Sequence, residues 1–250
     1  MTARLTRIER HPIKSHGRET LTSIDVKAGM SLPWDRRWAV LHEAAKADGS
    51  SWAPCANFSR GSKAPGLMAI NAKLDENTGA VVLTHPDRPN LAFQPGEETH
   101  LLRFLDWVQP LMPKDRAASA RIISAGDRGM TDTDYPSISL LNLASIRALS
   151  DKLGQRLDLR RFRGNFWVDG LAPWEEFGWV GETIKIGDLR FKVEERIERC
   201  MATAANPETG RRDAETLWGL EAGWGHRDMG VYLTALDDGR VETGAEVTLA

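Results

Sequence analysis

Apolar positions along this chain recur mostly with a period of two. Residues 4–11, 22–28, 37–42, 67–73 and 79–84 form brief apolar or alternating runs parted by Gly, Pro, Asp and Asn, and each reads as a strand. The pattern returns at 164–169, 181–187, 188–195, 199–204, 230–236 and 241–249, with Gly187-Asp188 as a two-residue hairpin turn. Two stretches carry a helical period instead. In 97–109, Leu101, Leu102, Leu105 and Val108 form one stripe, closed by Pro110. In 138–153, Leu140, Leu143, Ile146, Leu149 and Leu153 form another, with Ser137 as N-cap and Gly154 as terminator. Both stripes read as core-facing scaffold. The polar, Gly-rich stretch 205–229 reads as a long loop with a short helical piece. The chain is therefore expected to be β-rich α+β, without internal repeats or low-complexity tracts.

Length and charge narrow the function classes. A chain of 250 residues can bury a substantial core as one large domain or two lobes. Its net charge of −2 gives no global attraction to nucleic acid or to an anionic membrane, so an anion would have to be bound locally. The N-terminus has basic residues but no apolar run behind them, and no stretch approaches membrane-spanning length; a soluble cytoplasmic protein is expected. In that compartment Cys55 and Cys200, the two cysteines, are expected to be free thiols. The histidines show no zinc-site spacing, and Walker, GxGxxG and GxSxG motifs are missing, so zinc-enzyme, nucleotide-binding and serine-hydrolase readings have no foothold.

Candidate chemistry centres on Cys200, within EERIERCMATAANPETG. A thiolate is a soft metal ligand and a nucleophile, and Arg196 and Arg199 would favour its ionised form if they lie close in space. The Asn206–Gly210 turn signal places it near a strand end, beside a loop. A small buried hydrophobe is the alternative for any free cysteine. Cations also cluster at predicted strand edges: Lys14 in HPIKS, Arg36 in DRRW, and Arg160, Arg161 and Arg163 in RRFRGN. Each cluster could face a phosphate or a polar heterocycle, or could simply be solvated surface.

Taken in order, HPIKS, DRRW, YPSISLLNLASIRAL, RFRGNFWVDG, PWEEFGWVGETIKIGDLRFKV and RCMATAANPETG resemble the MOSC-domain proteins, with the N-terminal MOSC β-barrel module in front. The resemblance covers nearly the whole chain and is nearest to the branch of the amidoxime-reducing component and its bacterial relatives. It implies a MOSC-type β-barrel core with flanking helices over residues 96–250 and a β-barrel-like module over 1–95. It also implies bound molybdenum cofactor, with Cys200 as metal ligand and Lys14, Ser15, Arg36, Arg163 and Asn165, with Arg161 and Arg199 from the same motifs, around the pterin and its phosphate. Gly164 stands where the family usually has Pro, which is expected to loosen the backbone beside Asn165.

The activity so implied is reduction of N-hydroxylated small molecules, with Asp134 and Tyr135 as candidate proton donors or orienting groups. No cysteine follows Cys200, so a separate electron-transfer protein of ferredoxin, flavodoxin or cytochrome b5 type with its reductase is expected to supply electrons. No membrane anchor or nucleic-acid partner is expected. Two alternatives stay open: a sulfur carrier holding a persulfide on Cys200, and a molybdenum cofactor carrier without turnover. A pyridoxal phosphate role is set aside because no lysine has a Schiff-base context.

Overall fold

A computed structural model describes residues 2–250. In chain order the elements are β1 (Ala3–Arg10), β2 (Glu19–Leu21), β3 (Ser23–Val26), β4 (Trp38–His42), β5 (Asn71–Leu74), β6 (Val81–His85), β7 (Arg88–Phe93), α1 (Leu101–Val108) and β8 (Ser119–Ser124). There follow β9 (Ile138–Asn142), α2 (Leu143–Leu153), β10 (Phe166–Asp169), β11 (Thr183–Ile186), β12 (Leu189–Glu198), α3 (Thr216–Trp224), β13 (Asp228–Ala235), β14 (Gly239–Glu242) and β15 (Glu246–Leu249). No helix among the described residues is long and apolar enough to cross a membrane.

A closed barrel is the centre of the molecule. Strands run in the order β10-β9-β13-β12-β11-β15-β1, and β1 pairs back onto β10 to close the ring, with β2 continuing the edge beyond β15. A register shift between Leu5 and Arg7 lets β1 follow this curvature. The alternation of side chains sends Leu5, Ile138, Leu140, Phe166, Phe191, Val193, Val231 and Leu233 into one buried interior cluster. Residues between them, such as Ser139, Leu141 and Tyr232, therefore lie on the outer face. Leu141 and Trp167 there pack against Ile146 and Leu149 of α2 and Leu220 of α3. The first strand of the chain is thus a stave of a barrel otherwise made from residues after 137.

The remaining N-terminal elements build a second core. The pair β4–β8 and the sheet β5-β6-β7 enclose Trp38, Val40, Leu67, Leu83, Phe93, Phe104 and Trp107. Helix α1 buries Phe104, Trp107 and Val108, whereas Leu102 of the anticipated stripe is 73% exposed. The aromatic side chains offer more apolar area at the same i, i+3, i+4 spacing, and they win the core.

Several elements differ from the periodicity reading. The anticipated helix at 138–153 begins five residues late, because Ile138–Asn142 is a strand buried at every position, a run whose periodicity does not distinguish strand from helix. Its cap is Asn142, whose side chain accepts from Ala144 N at 2.9 Å, and not Ser137. Residues 201–204 form a 3-10 turn where a strand was expected, and 65–69 do likewise before β5. Strands β7 and β8 were not anticipated. The run 241–249 is split by Gly244, at φ +91°. The hairpin at Gly187-Asp188 is present, with Ile186 paired to Leu189 and Gly187 at φ +60°.

Candidate functional site

The segment after β1 lies alongside the entry to β4. Lys14 N donates to Trp38 O (2.8 Å), Trp38 N to Pro12 O (3.1 Å) and Arg36 N to His11 O (2.7 Å), so HPIKS and DRRW become neighbours although their starts, His11 and Asp35, lie 24 positions apart along the chain. Lys14 is fully engaged: its ammonium donates to Met130 O (2.9 Å), Thr131 O (3.3 Å) and an Asp132 carboxylate oxygen (2.5 Å), which accounts for all three of its donors. Arg36 is paired with Asp35 and reaches Arg163 O at 3.3 Å and Asn165 Oδ1 at 3.5 Å. Burial pushes the Asp35 carboxyl up, but Arg36 and hydrogen bonds from His11 outweigh it and hold the group well below the usual carboxylate range.

The barrel supplies the opposite wall. Asp158 caps a 3-10 turn at Leu159–Phe162 by accepting from Arg160 N at 2.8 Å, and Arg163 ends that turn with left-handed backbone. Asn165 then locks the entry to β10: its Oδ1 accepts from Ser139 N (3.1 Å) and Ser139 Oγ (2.9 Å), and its Nδ2 donates to Glu9 O (3.1 Å). Cys200 follows the end of β12 and is exposed, and its carbonyl accepts from Thr203. Arg199 turns back into the structure, donating to Phe162 O at 2.9 Å and to Met229 O. On the barrel's outer face Tyr232 sits opposite Ser139 in the β13–β9 pairing.

These walls enclose a cavity of about 250 Å³. Six cations (Lys14, Arg36, Arg60, Arg161, Arg163 and Arg199) face it against two carboxylates, Asp132 and Glu198, so the space suits an anion. Most of the cations already have acceptors; Arg161, for example, donates to Ala204 O and to an Asp213 oxygen. Arg163 does not. Both its terminal nitrogens are buried without a partner, and burial followed by repulsion from Arg36 and Arg18 lowers its pKa to about 9. An anionic group would remove that imbalance. Backbone strain gathers here as well: of five non-glycine residues with left-handed backbone among the described residues, Ser15 (φ +62°), Arg36 (φ +51°) and Arg163 (φ +49°) line this one cavity.

Of the residues singled out from sequence, Lys14, Ser15, Arg36, Arg161, Arg163, Arg199 and Cys200 are brought together on the cavity. Asn165 is buried behind it, holding the two walls in register through Ser139 and Glu9. Asp134 is exposed elsewhere, and Tyr135 donates to Glu195 Oε1 at 2.8 Å; neither lines the cavity. The carboxylate and phenol that do are Asp132 and Tyr232. Among the described residues Tyr232 has no hydrogen-bond partner, and burial together with the Asp132 charge pushes its pKa up, so its hydroxyl stays protonated near neutral pH. Cys55 also lines the cavity, exposed, with Arg60 Nη1 donating to its Sγ at 2.8 Å. Asp132 and Tyr232 could have been found from the alternation of β13 and the carboxylate two residues before Asp134. Nothing in the sequence around Cys55 signalled its position.

Molybdenum cofactor fits this donor set. Among the described residues no three His, Cys, Asp or Glu side chains gather around one point, so a metal held by Cys200 must bring its other donors with it, as a dithiolene pterin does. The phosphate of such a group matches the unpartnered Arg163. At Gly164, a Cβ would lie 2.5 Å from Leu141 Cδ1 and 3.1 Å from the Trp167 ring. The glycine is therefore filled against by its neighbours, and the Asn165 hydrogen bonds fix the backbone that was expected to loosen.

Comparison with known proteins gives the lineage. Molybdenum cofactor sulfurase 2 of Culex quinquefasciatus is 25% identical over 89% of this chain and 33% of its own length, and that of Aedes aegypti is 26% identical over 92% and 30%. Molybdenum cofactor sulfurase of Anopheles gambiae is 33% identical over 45% of this chain and 16% of its own length. The chain spans about a third or less of the curated relatives it matches. Among solved structures, the YUAD protein from Bacillus subtilis aligns with 99% of this chain and 94% of its own at 13% identity and a TM-score of 0.47. The family model for the MOSC N-terminal beta barrel domain matches residues 2–115 and that for the MOSC domain matches 127–248, and the chain belongs to the MOSC-domain proteins that carry this N-terminal module.

Proposed function

We propose that the chain holds molybdenum cofactor between its two walls and reduces N-hydroxylated small molecules with electrons from a separate electron-transfer protein. Relatives named as molybdenum cofactor sulfurases support the coarser part, a function tied to that cofactor. The observation that carries the reading is Arg163, a buried guanidinium with both terminal nitrogens unpartnered, on the same cavity as the exposed thiol of Cys200.

Arg163 and Arg36 would hold the anionic part of the cofactor, and the Cys200 sulfur would be the protein's ligand to the metal. When bound, the cofactor supplies a two-electron centre able to accept one oxygen atom. The protein's own contribution is position and proton supply. Asn165 and Asp35 keep Arg36 aimed into the cavity, while Lys14 braces the 130–132 segment that carries Asp132. Tyr232 holds a proton at its hydroxyl on the cavity wall, available to the departing oxygen. Overall, an N–O substrate takes up two electrons and two protons and yields the reduced nitrogen compound and water.

Metal analysis and pterin extraction on protein from a molybdenum-replete host test this reading. Near-stoichiometric molybdenum with pterin, and turnover of a simple amidoxime with a chemical reductant, are expected. Protein from such a host with neither metal nor pterin would sink it.

One observation favours a second reading. Two exposed thiols share the cavity, and a sulfur carrier with a persulfide on Cys200 needs a thiol nucleophile and no retained metal. Isolated protein carrying one extra sulfur atom on the Cys200 peptide would mark that role.

A further inference from the structure

Cys55 belongs to none of the family motifs and comes from the opposite wall to Cys200. The structure nevertheless turns both thiols onto one small space. Phe58 bridges to Leu41, and Ser59 N donates to Val40 O at 2.8 Å, which docks the 55–62 loop against β4. Arg212 Nη2 donates to Ser62 O at 2.8 Å, tying that loop to the segment that follows Cys200. A Cβ on Gly61 would lie 3.6 Å from the Cβ of Ala202, so the two loops touch.

The two sulfurs differ in their surroundings. Cys55 Sγ accepts from Arg60 Nη1 at 2.8 Å. Among the described residues no donor contacts Cys200 Sγ, and the neighbouring Arg199 guanidinium is committed to Phe162 O and Met229 O. In sulfur exchange the better leaving group is the sulfur whose thiolate is stabilised, and the better nucleophile is the one left free. Buried and unpartnered in the same cavity, the Arg163 nitrogens supply a positive field for the negative charge shared between the two sulfurs as the transfer occurs.

We propose that Cys55 is the entry thiol of a two-cysteine sulfur relay that ends on Cys200. This deepens the sulfur-carrier reading and rests on it. A small-molecule persulfide gives its outer sulfur to Cys55: the Cys55 thiolate attacks that sulfur, the donor's S–S bond breaks, and the donor leaves as a thiolate. The Cys200 thiolate then attacks the outer sulfur of the Cys55 persulfide. The S–S bond on Cys55 breaks, a new one forms on Cys200, and Cys55 leaves as the thiolate held by Arg60. One sulfane sulfur moves at each step, and no oxidant or reductant is consumed. Bound cofactor on Cys200 would block the second step, so the relay belongs to the cofactor-free chain.

The test uses purified full-length protein expressed without molybdenum and a limiting amount of glutathione persulfide, with alkylation at timed intervals and mass measurement of the two cysteine peptides. In the unaltered chain the extra sulfur is expected first on Cys55 and later on Cys200. Cys200→Ser should trap it on Cys55, and Cys55→Ser should slow its arrival on Cys200 about tenfold or more. Arg60→Gln, which keeps the side chain's reach without the charge, should slow the transfer step while leaving the loop folded. Equal arrival rates on Cys200 with and without Cys55 would overturn the relay and leave the sulfur-carrier reading standing. Retention of sulfur on neither cysteine would overturn both. A Cys55–Cys200 disulfide with release of hydrogen sulfide would overturn transfer, because it shows attack on the inner sulfur.

Discussion

The two walls of the cavity differ in where they leave positive charge uncompensated. On the N-terminal wall, Lys14 has three acceptors and Arg36 has Asp35 and Asn165. On the barrel wall Arg161 and Arg199 also have acceptors, but the buried terminal nitrogens of Arg163 have none among the described residues, on the same cavity as the exposed thiol of Cys200. A cation already neutralised within the protein has little left to offer a ligand, whereas an uncompensated one stores unfavourable energy that a bound anion relieves. On the proposed reading Lys14 therefore positions, and Arg163, with Arg36 beside it, binds.

The sharpest way to break this division is at Cys200. Replacing its soft thiolate by the hard, mostly protonated hydroxyl of Cys200→Ser should reduce N–O reduction to background, while Arg163 and Arg36 still retain some pterin. Molybdenum, pterin and turnover of a simple hydroxylamine would be measured together. Turnover at the unaltered rate would remove Cys200 from the metal.

A smaller effect separates the two tyrosines. If the cavity phenol delivers the proton, Tyr232→Phe should lower kcat by about a hundredfold, within the usual range for general acid catalysis, with pterin content unchanged. Tyr135 donates its hydrogen bond to Glu195, outside the cavity, so Tyr135→Phe should change kcat little. The opposite ranking would return the proton role to the Asp134–Tyr135 pair.

Arg163 and Lys14 then test the comparison itself. Arg163→Ala should weaken cofactor retention by about ten- to a hundredfold, the equivalent of one or two charge-assisted hydrogen bonds, and should not lower the melting temperature, because it removes an uncompensated buried cation. Lys14→Met should do the reverse, lowering the melting temperature by leaving Met130 O and Thr131 O without their donor. Cofactor titration and calorimetry on both proteins give the answer. If Lys14→Met instead loses cofactor at unchanged stability, Lys14 binds and the division fails.

Much of the barrel wall was legible in the sequence, because its cavity-lining residues lie in contiguous motifs: RFRGN holds Arg163 beside Asn165, and the RC motif follows the end of a strand. The N-terminal wall was legible only in part. HPIKS and DRRW name residues that line the cavity, but that Lys14 is saturated follows from where residues 130–132 pass, which no local pattern records. Asp134 and Tyr135 stood out because they precede an expected helix at 138. With β9 in that place, the alternation of β9 and β13 carries Ser139 and Tyr232 to the outer face instead. Cys55 was invisible for a different reason: its proximity to Cys200 arises from docking between two loops far apart in the chain, and neither loop has a period or a motif to announce it.

The smallest expected effect concerns Gly164, where the family usually has proline. Were this glycine needed for backbone freedom, any side chain there would disturb Asn165 and with it the cavity. The structure gives a different reason for it. Its position is crowded by the end of the Leu141 side chain and the edge of Trp167, while Asn165 is held independently by Ser139 and Glu9. Leu141 can yield by a rotamer change, so Gly164→Ala should cost about 1 kcal/mol, at the low end for overpacking, and lower the melting temperature by about 2–4 °C. Cofactor retention should stay as it was, since neither Leu141 nor Trp167 lines the cavity and Asn165 is held by other partners. A drop in retention comparable with that of Arg163→Ala would show that the conformation at 164, and not the Asn165 hydrogen bonds, aims Arg163 into the cavity.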